Sequence, residues 1–170
     1  MHPVWESAHS NLNWKGIDLS DQLRLALVGA GFWGRNLARN FHALGVLKII
    51  CDASEEALNS SAEKYPEIST TISFSDVLAR HDIDAVVISA PAELPPSLTR
   101  DALLAGKHVF VEKPLAMNVG EGEELVRLAH ESGKILFVGH VLQYHPAIKA
   151  IKRLLSQGKL GRLQYIYSNR

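Results

Sequence analysis

The sequence predicts a doubly wound α/β fold, a parallel sheet with helices on both faces, and three observations carry that reading. From residue 23 onward, short and near-continuously apolar runs alternate with amphipathic segments, as strands buried on both faces alternate with crossover helices. The first run, 23–28, passes directly into Gly29-Ala30-Gly31-Phe32-Trp33-Gly34 and then into a helix-like stretch, 35–44. The second run, 46–51, ends on an acid, Asp52, 18 positions after Gly34.

The remaining elements follow in order. Ser54 caps a helix whose first turn holds Glu55 and Glu56, and Pro66 follows its last residues. A weaker strand is expected at 70–74 and a strong one at 85–90. Pro96 opens a helix that Gly106 closes, and a strand at 109–112 follows. Asn118 caps the next helix, with Glu121, Glu123 and Glu124 near its positive end, Leu125, Leu128 and Ala129 on its apolar face, and Gly133 just past it. A strand at 135–138 completes the set. Right-handed β-α-β crossovers assemble such units into a doubly wound sheet, with ligands at the carboxyl ends of the strands. Beyond it, 146–157 reads as a helix with Ile148, Ile151, Leu154 and Leu155 on one face, and 163–167 as a strand. The expected organisation is a poorly ordered extension (1–22), a dinucleotide-binding Rossmann domain (23–145), and the connecting helix and first strand of a truncated second domain (146–170).

Composition narrows the function. The chain has 170 residues with 18 basic and 18 acidic side chains, so it carries no charge excess to attract nucleic acid. No apolar run is long enough to span a bilayer, and 1–22 lacks the apolar core of a secretory signal. The single Cys51 cannot form an internal disulfide and reads as core, which fits a reducing, cytoplasmic compartment.

Two motifs carry chemistry. In the glycine motif Gly29 permits the tight turn, Gly31 lets the backbone approach a pyrophosphate, and Gly34 lets helix and strand pack closely, with Phe32 and Trp33 beside them. The phosphates then sit at a helix N-terminus. Asp52 accepts from the adenosine ribose hydroxyls or, alternatively, only caps the following helix. A carboxylate there favours NAD over NADP, and Ala53 and Ser54 supply no cation for a 2′-phosphate. The second motif is Glu112-Lys113-Pro114 at the end of a strand. It puts Lys113 beside the expected nicotinamide, where it can donate to or protonate a substrate oxygen. Ala90 and Pro91, at the end of the run 85–90, together with Glu112 and Lys113 complete the expected cofactor contacts. Taken alone, a Glu-Lys-Pro turn is also an ordinary solvated turn.

The motifs Gly29–Gly34, Asp52, 102–109 and Glu112-Lys113-Pro114-Leu115-Ala116 together resemble the glucose–fructose oxidoreductase/inositol dehydrogenase/MocA family, over residues 23 to 170. The resemblance implies an NAD(P)-dependent oxidoreductase acting on a sugar, cyclitol or related small molecule. It gives Lys113 the catalytic or substrate-orienting role, has Glu112 position it, and implies a cis Lys113–Pro114 bond. The stretches 139–147, 158–162 and 165–170 are most similar to members acting on nucleotide-linked sugars such as UDP-N-acetylglucosamine-derived uronates. His140 and His145 are candidate substrate or cofactor contacts; the alternative for His145 is that it does no more than precede the helix opened by Pro146. Neither has the spacing or companions of a metal site.

Departures from the family pattern are Gln143, where many members carry Arg, and Pro95 or Pro96, where many carry His. Family enzymes are about twice this length, so the chain is expected to be a partial member that oligomerises only if the second domain is present. A non-catalytic NAD-binding module is the alternative. An S-adenosylmethionine-dependent methyltransferase shares the glycine turn and acid but has no use for Glu112-Lys113-Pro114.

Overall fold

A computed structural model describes residues 23–169. The extension expected at 1–22 lies outside the described residues.

Six strands form one all-parallel sheet: β1 (Leu25–Val28), β2 (Leu47–Cys51), β3 (Ser69–Thr71), β4 (Ala85–Ile88), β5 (His108–Val111) and β6 (Leu136–Val138), in the order β3-β2-β1-β4-β5-β6. Between them run α1 (Phe32–Ala43), α2 (Glu55–Lys64), α3 (Phe74–Ala79), α4 (Pro95–Leu104) and α5 (Val119–Glu131). A 3₁₀ turn (Val141–Tyr144) and α6 (Pro146–Ser156) follow β6. This is the doubly wound arrangement expected, and the strand order reverses between β1 and β4. At that switch point a crevice opens beyond the carboxyl ends of the strands.

Side chains alternate across the sheet, so each strand feeds two cores. Leu25 and Leu27 of β1 pack with Leu37 and Ala38 of α1 and Leu58 of α2. Ala26 and Val28 pack on the opposite face with Val77 of α3, Leu103 of α4 and Ala129 of α5. Every residue of β1 and of β4 is buried, which is why those strands read as unbroken apolar runs.

The helix ends follow their local chemistry. Ser54 Oγ accepts from the Ala57 amide at 3.3 Å, and Asn118 Oδ1 from the Glu121 amide at 2.9 Å. Gly106 and Gly133 leave their helices at φ 74° and 64°, a conformation that costs glycine little. Short α3 is a difference from expectation. Ser73 caps it by accepting from the Asp76 amide at 3.2 Å, so the chain turns into helix where 70–74 suggested continuing strand. Strand β4 stops at Ile88 rather than Ala90, and α1 begins at Phe32 rather than Arg35.

Residues 163–167 form no strand and are exposed. An extended segment becomes a strand by ladder pairing, and no neighbouring strand offers those bonds among the described residues. A buried cation was also not foreseen. Lys107 is 6% exposed, and its ammonium donates to the carbonyls of Arg80 (2.6 Å) and Ile83 (2.8 Å), which ties the loop before β4 to β5.

Two glycines of the motif respond differently to a methyl group. A Cβ on Gly34 would lie 1.9 Å from the Gly29 carbonyl oxygen, whereas one on Gly31 meets nothing within 4 Å. Gly34→Ala is therefore expected to cost about 2–3 kcal/mol or more, since main chain must move. Gly31→Ala should leave stability within about 0.5 kcal/mol. Urea denaturation of both variants checks the contrast, and equal midpoints would refute it.

Candidate active site

The site begins where β1 becomes α1. Gly29 has φ 93°, and a Cβ there would lie 2.1 Å from the Ser89 carbonyl oxygen. The ends of β1 and β4 thus touch main chain to main chain, and Ser89 donates its own amide to Val28 O at 2.8 Å. The same crowding at Gly34 lets α1 start against Gly29. Gly31 is the N-cap of α1 with no side-chain cap, and no acid stands in the first turn. The first amides of α1 therefore have no side-chain acceptor at the cap, and the positive end of the helix faces the crevice.

Asp52 follows β2 and is held at both oxygens. Oδ2 accepts from the Ala30 amide at 2.6 Å and Oδ1 from the Ser54 amide at 2.8 Å. The first bond joins the end of β2 to the glycine turn. Ser54 itself is the N-cap of α2, so capping that helix does not explain the carboxylate. Each oxygen keeps a lone pair for a further donor.

A cleft of about 840 Å³ runs from this turn across the ends of β4, β5 and β6. Gly31, Phe32 and Trp33 line one side, with Ser89, Ala90 and Pro91 beside them. Glu112, Lys113, Gly139 and His140 line it as well, with Val141, Leu142 and Gln143 of the 3₁₀ turn. Residues far apart in sequence are thus brought to one edge of the sheet. Lys113 is exposed, and its ammonium has no hydrogen-bond partner among the described residues. The Lys113–Pro114 bond is cis.

Two candidate roles are refined by this geometry. Glu112 makes no hydrogen bond to Lys113. Its Oε1 accepts from the Trp33 indole at 2.6 Å, because successive side chains at a strand end diverge. His145 is not among the cleft's lining residues. Its Nδ1 accepts from the Ala147 amide at 3.2 Å and caps α6, whereas His140 does reach the cleft. Sequence reasoning missed Ser89, which carried no motif, and the Trp33–Glu112 pair, whose members are 79 positions apart.

A glycine turn at the switch point of a parallel sheet, an acid after β2 and a lysine after β5 define a dinucleotide-binding oxidoreductase domain. The chain belongs to the oxidoreductase family with an NAD-binding Rossmann fold, GFO_IDH_MocA, which its residues 23–140 match. It is 31% identical over 142 residues to 4-carboxy-2-hydroxymuconate-6-semialdehyde dehydrogenase of Sphingobium sp. (strain NBRC 103272 / SYK-6), covering 82% of this chain and 45% of that one. Among solved structures, myo-inositol 2-dehydrogenase from Lactobacillus plantarum superposes with a TM-score of 0.77 at 28% identity, over 84% of this chain and 43% of the other. Biliverdin reductase from Synechocystis sp. PCC 6803, solved with biliverdin and NADP+, gives 0.72 at 29% identity, over 79% and 43%. The chain spans less than half the length of the curated relatives it matches first. No helix among the described residues is long and apolar enough to cross a membrane.

Cys51 ends β2 next to Asp52 but serves the core. It is 3% exposed. Burial, then the carboxylates of Asp52 and Asp76, push its thiol from 9.0 up to about 11. The folded state therefore holds the thiol proton more tightly than the unfolded chain. That contribution to stability is complete below pH 9 and is lost as pH rises toward about 11. At pH 8 the folded protein should resist iodoacetamide, and urea should make Cys51 reactive. Rapid alkylation of the folded chain, followed by mass spectrometry, would contradict its placement in the core.

Proposed function

We propose that this chain is the cofactor domain of an oxidoreductase that uses NAD in preference to NADP, acting at a hydroxyl-bearing carbon of a sugar, polyol or nucleotide-linked sugar. The observation that carries the reading is the Asp52 carboxylate, fixed at both oxygens beside the glycine turn. Held there, it accepts from free ribose hydroxyls and repels a 2′-phosphate. No cation adjoins it in sequence, since Ala53 and Ser54 follow. The empty space beside Gly31 fits a pyrophosphate drawn close to the backbone at the start of α1.

When bound, the nicotinamide supplies the carbon that gives or takes the hydride. Lys113, at the opposite end of the cleft, exchanges a proton with the substrate oxygen whose carbon is oxidised or reduced. His140 lies within reach of the same end. The polyol reading draws support from the likeness to myo-inositol 2-dehydrogenase, and the preference for NAD runs against the NADP+ of the biliverdin reductase complex.

Calorimetric titration of the purified chain with NADH and NADPH tests this. Saturable binding with NADH the tighter ligand is expected. Asp52→Ala should weaken NADH by about tenfold, through loss of charge-assisted bonds, and should erase the difference between the two cofactors. A folded chain that binds neither cofactor, or a variant with unchanged NADH affinity, would sink the proposal.

A further inference from the structure

Trp33 is the tryptophan that the described residues contain, and it occupies a variable position inside the glycine motif. Its indole donates to Oε1 of Glu112, another residue lining the cleft, at 2.6 Å. Glu112 is only 9% exposed. A carboxylate that deeply placed needs donors, and the indole is the one side chain or amide that supplies its oxygens among the described residues. Glu112 also lines the cleft. The carboxylate also lies flat over Gly139, where a Cβ would come within 2.9 Å of Oε1 and 3.2 Å of Oε2. Three main-chain features therefore set its place: the start of α1, the end of β5 and the end of β6.

The position identifies what the free oxygen meets. With the ribose at Asp52 and the pyrophosphate at α1, the extended cofactor reaches its nicotinamide over the ends of β4, β5 and β6. The carboxamide there has an N–H₂ donor and a carbonyl acceptor. Lys113 can only donate, whereas an ionised Glu112 can only accept. We propose that Trp33 is a positioning residue, whose indole fixes the Glu112 carboxylate to accept a hydrogen bond from the nicotinamide carboxamide. This rests on the cofactor reading above and adds a task for a residue outside the glycines.

The test compares NADH with ADP-ribose, which lacks the nicotinamide, by calorimetry on the whole chain. Trp33→Phe keeps a ring but removes the donor. Gly139→Ala leaves Trp33 intact and displaces the carboxylate, whose flexible end is the group the new methyl meets. Both variants should bind NADH about tenfold more weakly while ADP-ribose stays within about twofold. Trp33→Phe combined with Glu112→Gln should be no weaker than Glu112→Gln alone, because the two residues act as one unit. Equal losses for both ligands would reduce Trp33 to packing and overturn the proposal, as would unchanged NADH affinity or additive effects. If the wild-type chain binds neither ligand, the cofactor reading falls and this inference falls with it. If it binds both and Trp33→Phe is silent, this inference alone is refuted.

Discussion

Three pieces of main chain, the end of β1, the first turn of α1 and the residue after β4, meet with no side chain between them. The contacts a methyl group would make, 2.1 Å from Ser89 O at Gly29 and 1.9 Å from Gly29 O at Gly34, show how little room exists. Close packing of this kind transmits strain instead of absorbing it. The approach sets the direction of α1, and so the direction in which its positive end points. It also holds β1 and β4 together where their crossovers depart to opposite faces, and that divergence is what opens the crevice. Fold and site share one constraint, and a single added carbon at Gly34 would disturb both.

Asp52, beside the glycine turn, and Glu112, in the cleft, share one electrostatic arrangement. Asp52 and Glu112 stand after β2 and β5, and neither is paired with a cation among the described residues. Uncharged donors hold them instead: two amides for Asp52 and an indole for Glu112. A cation partner would compete with a bound hydroxyl or amide for the same lone pairs. Neutral donors fix the carboxylate geometrically and leave its charge available. Because Ala30 belongs to the glycine turn and Trp33 to α1, both acids are registered against the start of that helix.

Much of this was legible in the chain itself, for reasons that differ by element. Strands β1, β2 and β4 are buried on both faces, so composition alone marks them. Ser54, Asn118 and the closing glycines are local signals whose bonds span only a few residues. What escaped was non-local or short. Helix α3 has six residues, less than two turns, too short to show a period. Glu112 was given the task of positioning Lys113 by family resemblance alone, whereas its hydrogen-bond partner arrives from 79 positions away. The apolar run 163–167 has the composition of a strand but pairs with none among the described residues. His145 was ambiguous for a related reason, since the residue before a helix-opening proline can cap or can reach outward, and only geometry separates the two.

Rigidity is unevenly distributed around the cleft, and its chemistry follows that division. The wall that faces the dinucleotide is built from sheet ends and backbone contacts deep in two cores. The opposite wall, the 3₁₀ turn and α6, contributes no buried residue. A chain of rings tethers it to the sheet: Phe110 stacks on Phe137 at 5.3 Å, and Phe137 meets Tyr144 at 6.4 Å. Segments with few buried apolar contacts open at low free energy. Lys113 and His140 stand between the firm wall and the soft one. The half of the cleft beside the glycine turn is therefore fixed by the fold, whereas the half beside the 3₁₀ turn and α6 is the more easily deformed.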